Sequence, residues 1–284
     1  SLGDPSGIGP EVFIKAINDQ KLRQHLSKII LVSSSKVIEG AISAIGVKQK
    51  INLISDIKNA QPDSINLINV DGCTDFVLGE PTLNNSEFIV DCLSKAADLA
   101  LTNSSCLVTG PLNKSIIQKH VQNFTGHTEF LKRKFNTNEV LMYMTNGNLH
   151  LGILTTHIPL KEVPNAISRD LIKNKYKLLH HGLVDIFKLA SPKIAVLGIN
   201  PHAGEFGTIG NEEQNTILPA INELRDEGYD AYGPVSADTV FTQTKYDAVL
   251  SMYHDQALPV LKAIDFYKTV NITLGLPFLR VSVD

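Results

Sequence analysis

Three histidines in this sequence stand where chemistry would need them. His157 follows the apolar run "LGILTT", His202 follows "IAVLGIN" and a proline, and His254 follows "AVLSMY". Each run has the length and composition of a buried strand, so each histidine leaves the core at a strand's carboxyl end. Open α/β sheets bind ligands beyond that edge, and three side chains placed there can converge. Neutral imidazole is a common ligand of divalent metals, and three imidazoles with one open position form a catalytic zinc arrangement. A plainer reading stands beside it, in which each histidine is a surface or capping residue. The wide spacing offers no local H-E-x-x-H motif to decide between them. His25, His120, His180 and His181 read as solvated or packed.

The segment "SMYHDQALPVLK" adds more groups at the third histidine. Asp255 can orient an imidazole through a hydrogen bond or act as a base, and Asp238 in "SADT" is a further candidate of the same kind. Lys262 can neutralise an anion or, if burial lowers its pKa, assist proton transfer. Asn271 and Arg280 lie downstream near turns or strand ends, and two cations with an amide suit a substrate with two negative ends. In "TGHTEFL", His127 and Thr128 begin a helix. Thr128 is either its cap, or the pair holds a phosphate or carboxylate at the helix N-terminus.

Glycine-rich stretches supply the remaining candidates. "GDPSGIGPE" opens a helix, and Gly7, Ile8 and Gly9 can present backbone N–H groups to a phosphate or pyrophosphate. The spacing is not that of a G-x-G-x-x-G dinucleotide fingerprint, and an ordinary loop explains it equally. "TGPLNKS" is a turn after a strand with Lys114 available for an anion. In "NPHAGEFGTIGNEE" the glycines let the chain turn sharply around His202. Asn211 is expected to cap the next helix, with Glu212 and Glu213 in its first turn to suit the helix dipole.

The elements that must position these groups alternate in type. Strands are predicted at 29–33, 65–70, 106–110, 140–144, 151–156, 194–200, 248–253 and 270–275. Helical patterns cover 11–26, 86–101, 169–187 and 211–228. Such alternation predicts an α/β architecture with a largely parallel sheet. No repeat, low-complexity tract or linker marks a domain boundary.

Bulk properties narrow the function class. A chain of 284 residues suits one large domain or two smaller ones. Hydrophobic residues at 43% and charged residues at 19% exclude disorder and coiled coil. A net charge of −3 gives no bulk attraction for nucleic acid or anionic membrane, and no apolar run approaches the ~20 residues that span a bilayer. Cys73, Cys92 and Cys106 lack C-x-x-C spacing and leave one unpaired in any disulfide scheme, which points to a reducing cytoplasm. The chain opens on a loop-like motif, so a strand is expected to precede Ser1.

Taken in order, "GDPSGIGPE", "TGPLNK", "GHTEFL", "TTHIPLKEV", "NPHAGEFG", "GPVSADTVF", "YDAVLSMYHDQALPVLK" and "VNITLGLPFLRVSVD" resemble the PdxA family, the 4-hydroxythreonine-4-phosphate dehydrogenases of vitamin B6 synthesis. The resemblance covers nearly the whole chain. It implies the fold of isocitrate and isopropylmalate dehydrogenases, two α/β/α domains with an interdomain active-site cleft. The first domain is expected over 1–120 plus 266–284 and the second over 121–265. It implies a homodimer in which a partner residue completes each metal site. His157, His202 and His254 become the ligands of one zinc, magnesium or cobalt ion per subunit, with His254 expected to serve a site across the dimer interface. His127, Thr128, Lys262, Asn271 and Arg280 become the substrate-binding set, with Asp255 and Lys262 as catalytic candidates. Gly7, Ile8 and Gly9 become candidates for contact with NAD or NADP.

The implied reaction oxidises 4-phosphohydroxy-L-threonine to a β-keto acid that loses CO2. The family also holds relatives acting on D-threonate or D-erythronate 4-phosphate and on aromatic cis-diols, and the cationic set kept here favours a phosphorylated substrate. Ala257 stands where a glycine usually follows "HDQ", and Phe206 stands where many members have glycine. The chain stops at Asp284, where the family continues "HGTA". A metal-dependent hydrolase, a phosphate acyltransferase and a binder of a phosphorylated metabolite without activity are the alternatives.

Overall fold

A computed structural model describes residues 1–122 and 124–283, with Val283 described by its backbone alone. The strands are β1 (Ile30–Ser33), β2 (Ile51–Leu53), β3 (Ile65–Asn69), β4 (Leu107–Thr109), β5 (Leu141–Thr145), β6 (His150–Thr155), β7 (Ile194–Leu197), β8 (Ala231–Val235), β9 (Ala248–Tyr253), β10 (Val270–Leu274) and β11 (Arg280–Val283). Between them lie the helices, and the fold is α/β. The chain forms two compact units, Ser1–Asn136 with Pro277–Val283, and Thr137–Leu276. None of the helices in the described residues is long and apolar enough to cross a membrane.

The first unit carries the parallel strands β1-β3-β2 and the parallel pair β4 and β11. Helix Ser86–Thr102 buries Phe88, Ile89, Cys92, Leu93, Ala96 and Ala97, a spacing that keeps one apolar stripe on the core. The expected division after residue 120 differs from the division found after Asn136. The intervening helix His127–Lys134 explains it: Lys134 pairs with Asp98 at 2.9 Å, and Phe135 meets Phe278 edge to face at 5.1 Å. Both contacts lie within the first unit.

In the second unit the strand order is β10-β5-β6-β9-β7-β8. Strands β6, β7 and β9 are buried almost throughout, as unbroken apolar runs are when helices cover both faces of a parallel sheet. Helix His254–Asp265 lays Ala257, Leu258 and Leu261 into the same core as Met144, Leu151 and Val249. β5 is antiparallel to both β6 and β10, so this sheet is mixed. The cause is a tight turn at Asn146–Gly147, where Asn146 Oδ1 accepts the N–H of Asn148 and Leu149 and Gly147 takes φ 92°.

Two helical expectations are corrected. The pattern over 11–26 breaks into Gly9–Ile17 and Gln20–Arg23, because Asp19 turns extended and its carboxylate caps the second piece through Lys21 N. The pattern over 211–228 becomes a π-helical turn, Glu213–Ile217, followed by the α-helix Leu218–Asp226. Asn211 makes no side-chain cap; its carbonyl accepts the N–H of Asn215 instead.

Candidate active site

The three histidine-bearing strands are neighbours and run parallel, in the order β6-β9-β7. Thr155 of β6 stands beside Tyr253 of β9, and its hydroxyl donates to Met252 O at 2.7 Å. This pairing brings the next residues out side by side. The rings of His157 and His254 lie 5.8 Å apart, centroid to centroid, and meet edge to face. Together with Thr156, Ile158, Leu160, Val163, Tyr253 and Asp255 they line a cavity of about 440 Å³. The ring nitrogen Nδ1 of His254 bonds Asp255 Oδ1 at 2.6 Å, which leaves Nε2 as the nitrogen available for a ligand.

His202 leaves β7 differently. Beyond Gly198 the chain enters a left-handed run: His202, Ala203, Gly204, Glu205 and Phe206 take φ of 52°, 51°, 78°, 42° and 57°, and Gly207 takes 95°. A non-glycine residue in that region costs about 1–2 kcal/mol, so four within five residues, interrupted only by Gly204, persist only because their surroundings impose them. The run carries His202 to Asp238, whose Oδ2 lies 3.7 Å from Nδ1; Asp238 is held in turn by the hydroxyl of Ser236 at 2.6 Å.

The donor chemistry suits a divalent cation, but one chain gathers only part of it. Among the described residues, no group of three or more histidine, cysteine, aspartate or glutamate side chains is placed to hold a metal ion. His157 and His254 stand together; His202 stands with Asp238.

Of the expected substrate set, His127, Thr128 and Arg280 belong to the first unit and Lys262 and Asn271 to the second. His127 begins helix His127–Lys134, and the cap is Gly126 at φ 136°, so Thr128 is an internal residue of the first turn rather than the cap. Burial lowers the His127 imidazole to about 3, with the positive charges of Arg280 and Lys114 adding to the effect. Its Nε2 is buried with no hydrogen-bond partner among the described residues, a state that native structures rarely leave unanswered. Arg280 is buried, lowered by that burial to about 10, and directs Nε and Nη2 onto Thr109 Oγ1 at 3.2 and 2.8 Å. In the second unit, Lys262 Nζ lies 5.7 Å over the ring of Phe266, and Asn271 sits half-buried on β10 opposite Met144.

The loop "GDPSGIGPE" is shaped by backbone packing. A Cβ on Gly9 would lie 2.0 Å from Leu2 O, and one on Gly3 would lie 2.0 Å from Pro111 O. The N–H of Gly7 is used on Asp4 O at 3.0 Å, while Ile8 remains exposed.

Two further residues, Glu213 and Gln256, join the histidine loops. Glu213, read in the sequence as a first-turn acid, is fully buried and accepts from Ile199 N and Asn200 N at 2.8 Å each. Gln256 accepts the N–H of Met252 at 2.8 Å and donates to Gly198 O at 2.7 Å. For Glu213, the only available signal was its position soon after a glycine-rich turn; for Gln256, its adjacency to His254 and Asp255.

Comparison with known proteins gives a consistent picture. Residues 25–284 match the family model described as pyridoxal phosphate biosynthetic protein PdxA. A 4-hydroxythreonine-4-phosphate dehydrogenase of Shewanella frigidimarina is 40% identical over 293 residues, covering 99% of this chain and 87% of that one. The crystal structure of the enzyme of that name from Klebsiella pneumoniae superposes with a TM-score of 0.92 at 32% identity, covering 100% of this chain and 87% of that one. Its counterpart from Burkholderia phymatum gives 0.89 at 30% identity, with 100% and 88% covered.

Proposed function

The chain belongs to the PdxA family, and from that premise we propose that it oxidises 4-phosphohydroxy-L-threonine with NAD or NADP as hydride acceptor. The β-keto acid formed loses CO2 to give 3-amino-1-hydroxyacetone 1-phosphate. The observation that carries this reading is the pairing of His157 and His254 over a cavity at the carboxyl ends of adjacent parallel strands.

His157, His202 and His254 are proposed to hold one divalent ion, zinc, magnesium or cobalt, in a site shared between two copies of the chain. Support comes from the arrangement within one copy, which assembles two imidazoles and leaves the third apart. A divalent cation bound there supplies acidity to a coordinated alcohol and stabilises negative charge on oxygen. The hydrogen bond from His254 to Asp255 supports Asp255 as the group that orients the imidazole, rather than a base.

Arg280, His127, Thr128, Lys262 and Asn271 are proposed to bind the anionic ends of the substrate. Arg280 is already aligned by Thr109, and guanidinium groups bind phosphates and carboxylates strongly through charge-assisted hydrogen bonds. The neutral His127 can hydrogen-bond an anion without bringing a buried charge of its own. Lys262 is proposed as a cation for the substrate. Gly7, Ile8 and Gly9 stay proposed contacts for NAD or NADP, with the exposed Ile8 offering apolar surface. Three free thiols support a cytoplasmic location.

The test is nicotinamide reduction by the purified protein with 4-phosphohydroxy-L-threonine, before and after chelation. Turnover that stops on chelation and returns with a divalent ion is expected. Absence of reduction with every four-carbon hydroxy-acid phosphate tried would remove the dehydrogenase reading. Retention of full activity and metal content by His202→Ala would remove the three-histidine site.

A further inference from the structure

The left-handed loop that carries His202 is built around one carboxylate. Glu213 Oε1 accepts the backbone N–H of Ile199 and Asn200 at 2.8 Å each, and Oε2 accepts the side-chain amide of Asn200 at 2.9 Å. Glycines on either side of His202 make room for it. A Cβ on Gly198 would lie 3.0 Å from Oε1, and one on Gly204 would lie 2.6 Å from Oε2. The fully buried carboxylate therefore fills the inside of the turn, from the end of β7 to the middle of the left-handed run. Gln256 ties the base of that turn, at Gly198 O, to Met252 N, two residues before His254.

We propose that Glu213 is a positioning residue for His202: its carboxylate holds the loop in its left-handed form, while Gln256 fixes the foot of the loop to the strand end that presents His254. The inference rests on the reading of His202 and His254 as metal ligands. The physical argument is one of over-determination. Four non-glycine residues with positive φ do not hold such a shape unaided. Among the described residues, the hydrogen bonds to both oxygens of Glu213 come from N–H donors of the turn, so the anchor works as an acceptor and not merely as bulk. Removing an acceptor from a buried site leaves its donors unsatisfied, and the turn then gains by opening.

Glu213→Gln keeps the shape but replaces one acceptor oxygen by a donor, so it separates accepting from filling. The experiment compares wild type, E213Q, E213D and H202A as chelator-stripped full chains. Hydrogen exchange is read at residues 198–209, Zn2+ affinity by calorimetry, and kcat and KM after reloading. In E213Q the amides of Ile199, Asn200 and Ala203 should exchange at least about tenfold faster, with β6 and β9 unchanged. Zn2+ affinity should fall by about tenfold or more and kcat should fall more than KM rises, with E213D recovering part of each. E213Q affinity within about twofold of wild type, while H202A loses binding, overturns the inference and leaves the function standing. Wild-type Zn2+ affinity that H202A does not change overturns the ligand reading instead, and the inference with it. Should E213Q fail to fold, Asn200→Ala removes the side-chain bonds to Glu213 and Glu212 and leaves the backbone ones, and unchanged exchange and affinity there would also overturn the inference.

Discussion

His127 shows how far one buried side chain can be displaced from its solution behaviour. Burial and the cations Arg280 and Lys114 take its imidazole from 6.5 to about 3. The unfolded chain binds a proton near 6.5, whereas the folded chain does so only near 3. Between those values protonation favours the unfolded state, so stability contributed by neutral His127 is complete above 6.5 and is lost as the pH falls toward 3. His127→Asn cannot titrate there. Its melting temperature should therefore drop less than that of wild type between about pH 7 and about pH 4.5. Equal drops would show that His127 is not held neutral by the fold. The buried, unpartnered Nε2 suits the proposed substrate role, because as an N–H it can donate to an anionic oxygen of the substrate.

The loop after β7 makes a prediction of opposite sign. Phe206 holds φ 57° and is 98% exposed, so it bears the left-handed cost without burying apolar surface in this chain. Phe206→Gly relieves about 1–2 kcal/mol of that cost and returns about 0.5–1 kcal/mol through the greater freedom of glycine in the unfolded chain. The net expectation is a gain of about 0.5–1 kcal/mol in denaturant unfolding of the variant. A loss would show that the ring is covered in the working protein, for example by a second copy. Elements of this kind also mark where sequence reading stopped. The histidine-bearing strands β6, β7 and β9 were visible because burial on both faces makes them unbroken apolar runs. β2 was not, being three residues with no buried position; nor was β8, whose "AYGPV" carries a glycine and a proline that argue against a strand. The positions of His157, His202 and His254 at one sheet edge could be read from their spacing after those runs. The left-handed path to His202 could not, because it depends on Glu213, an acid whose place in a first turn already had a sufficient local explanation.

At the scale of the whole molecule, the open question is how three histidines on one sheet edge become one site. Within a chain, His254 faces His157, while His202 is carried to Asp238. If a site is shared, His202 and His254 of that site come from different copies, and this has a consequence that neither variant alone can show. His202→Ala and His254→Ala should each be inactive as pure proteins, since every site lacks a ligand. Mixed and allowed to exchange subunits, they form hybrid dimers in which one site carries both substitutions and the other carries neither. With random pairing, about half the dimers are hybrids with one intact site in two, so activity should return to roughly a quarter of wild type. Metal content should rise in parallel, which separates restored binding from a trace of contaminating enzyme. No recovery after demonstrated exchange would mean that His202 and His254 serve the same site from the same chain. The loop would then have to leave Asp238 and move toward the pair when metal binds, and the hydrogen exchange of residues 198–209 with and without Zn2+ would report that movement.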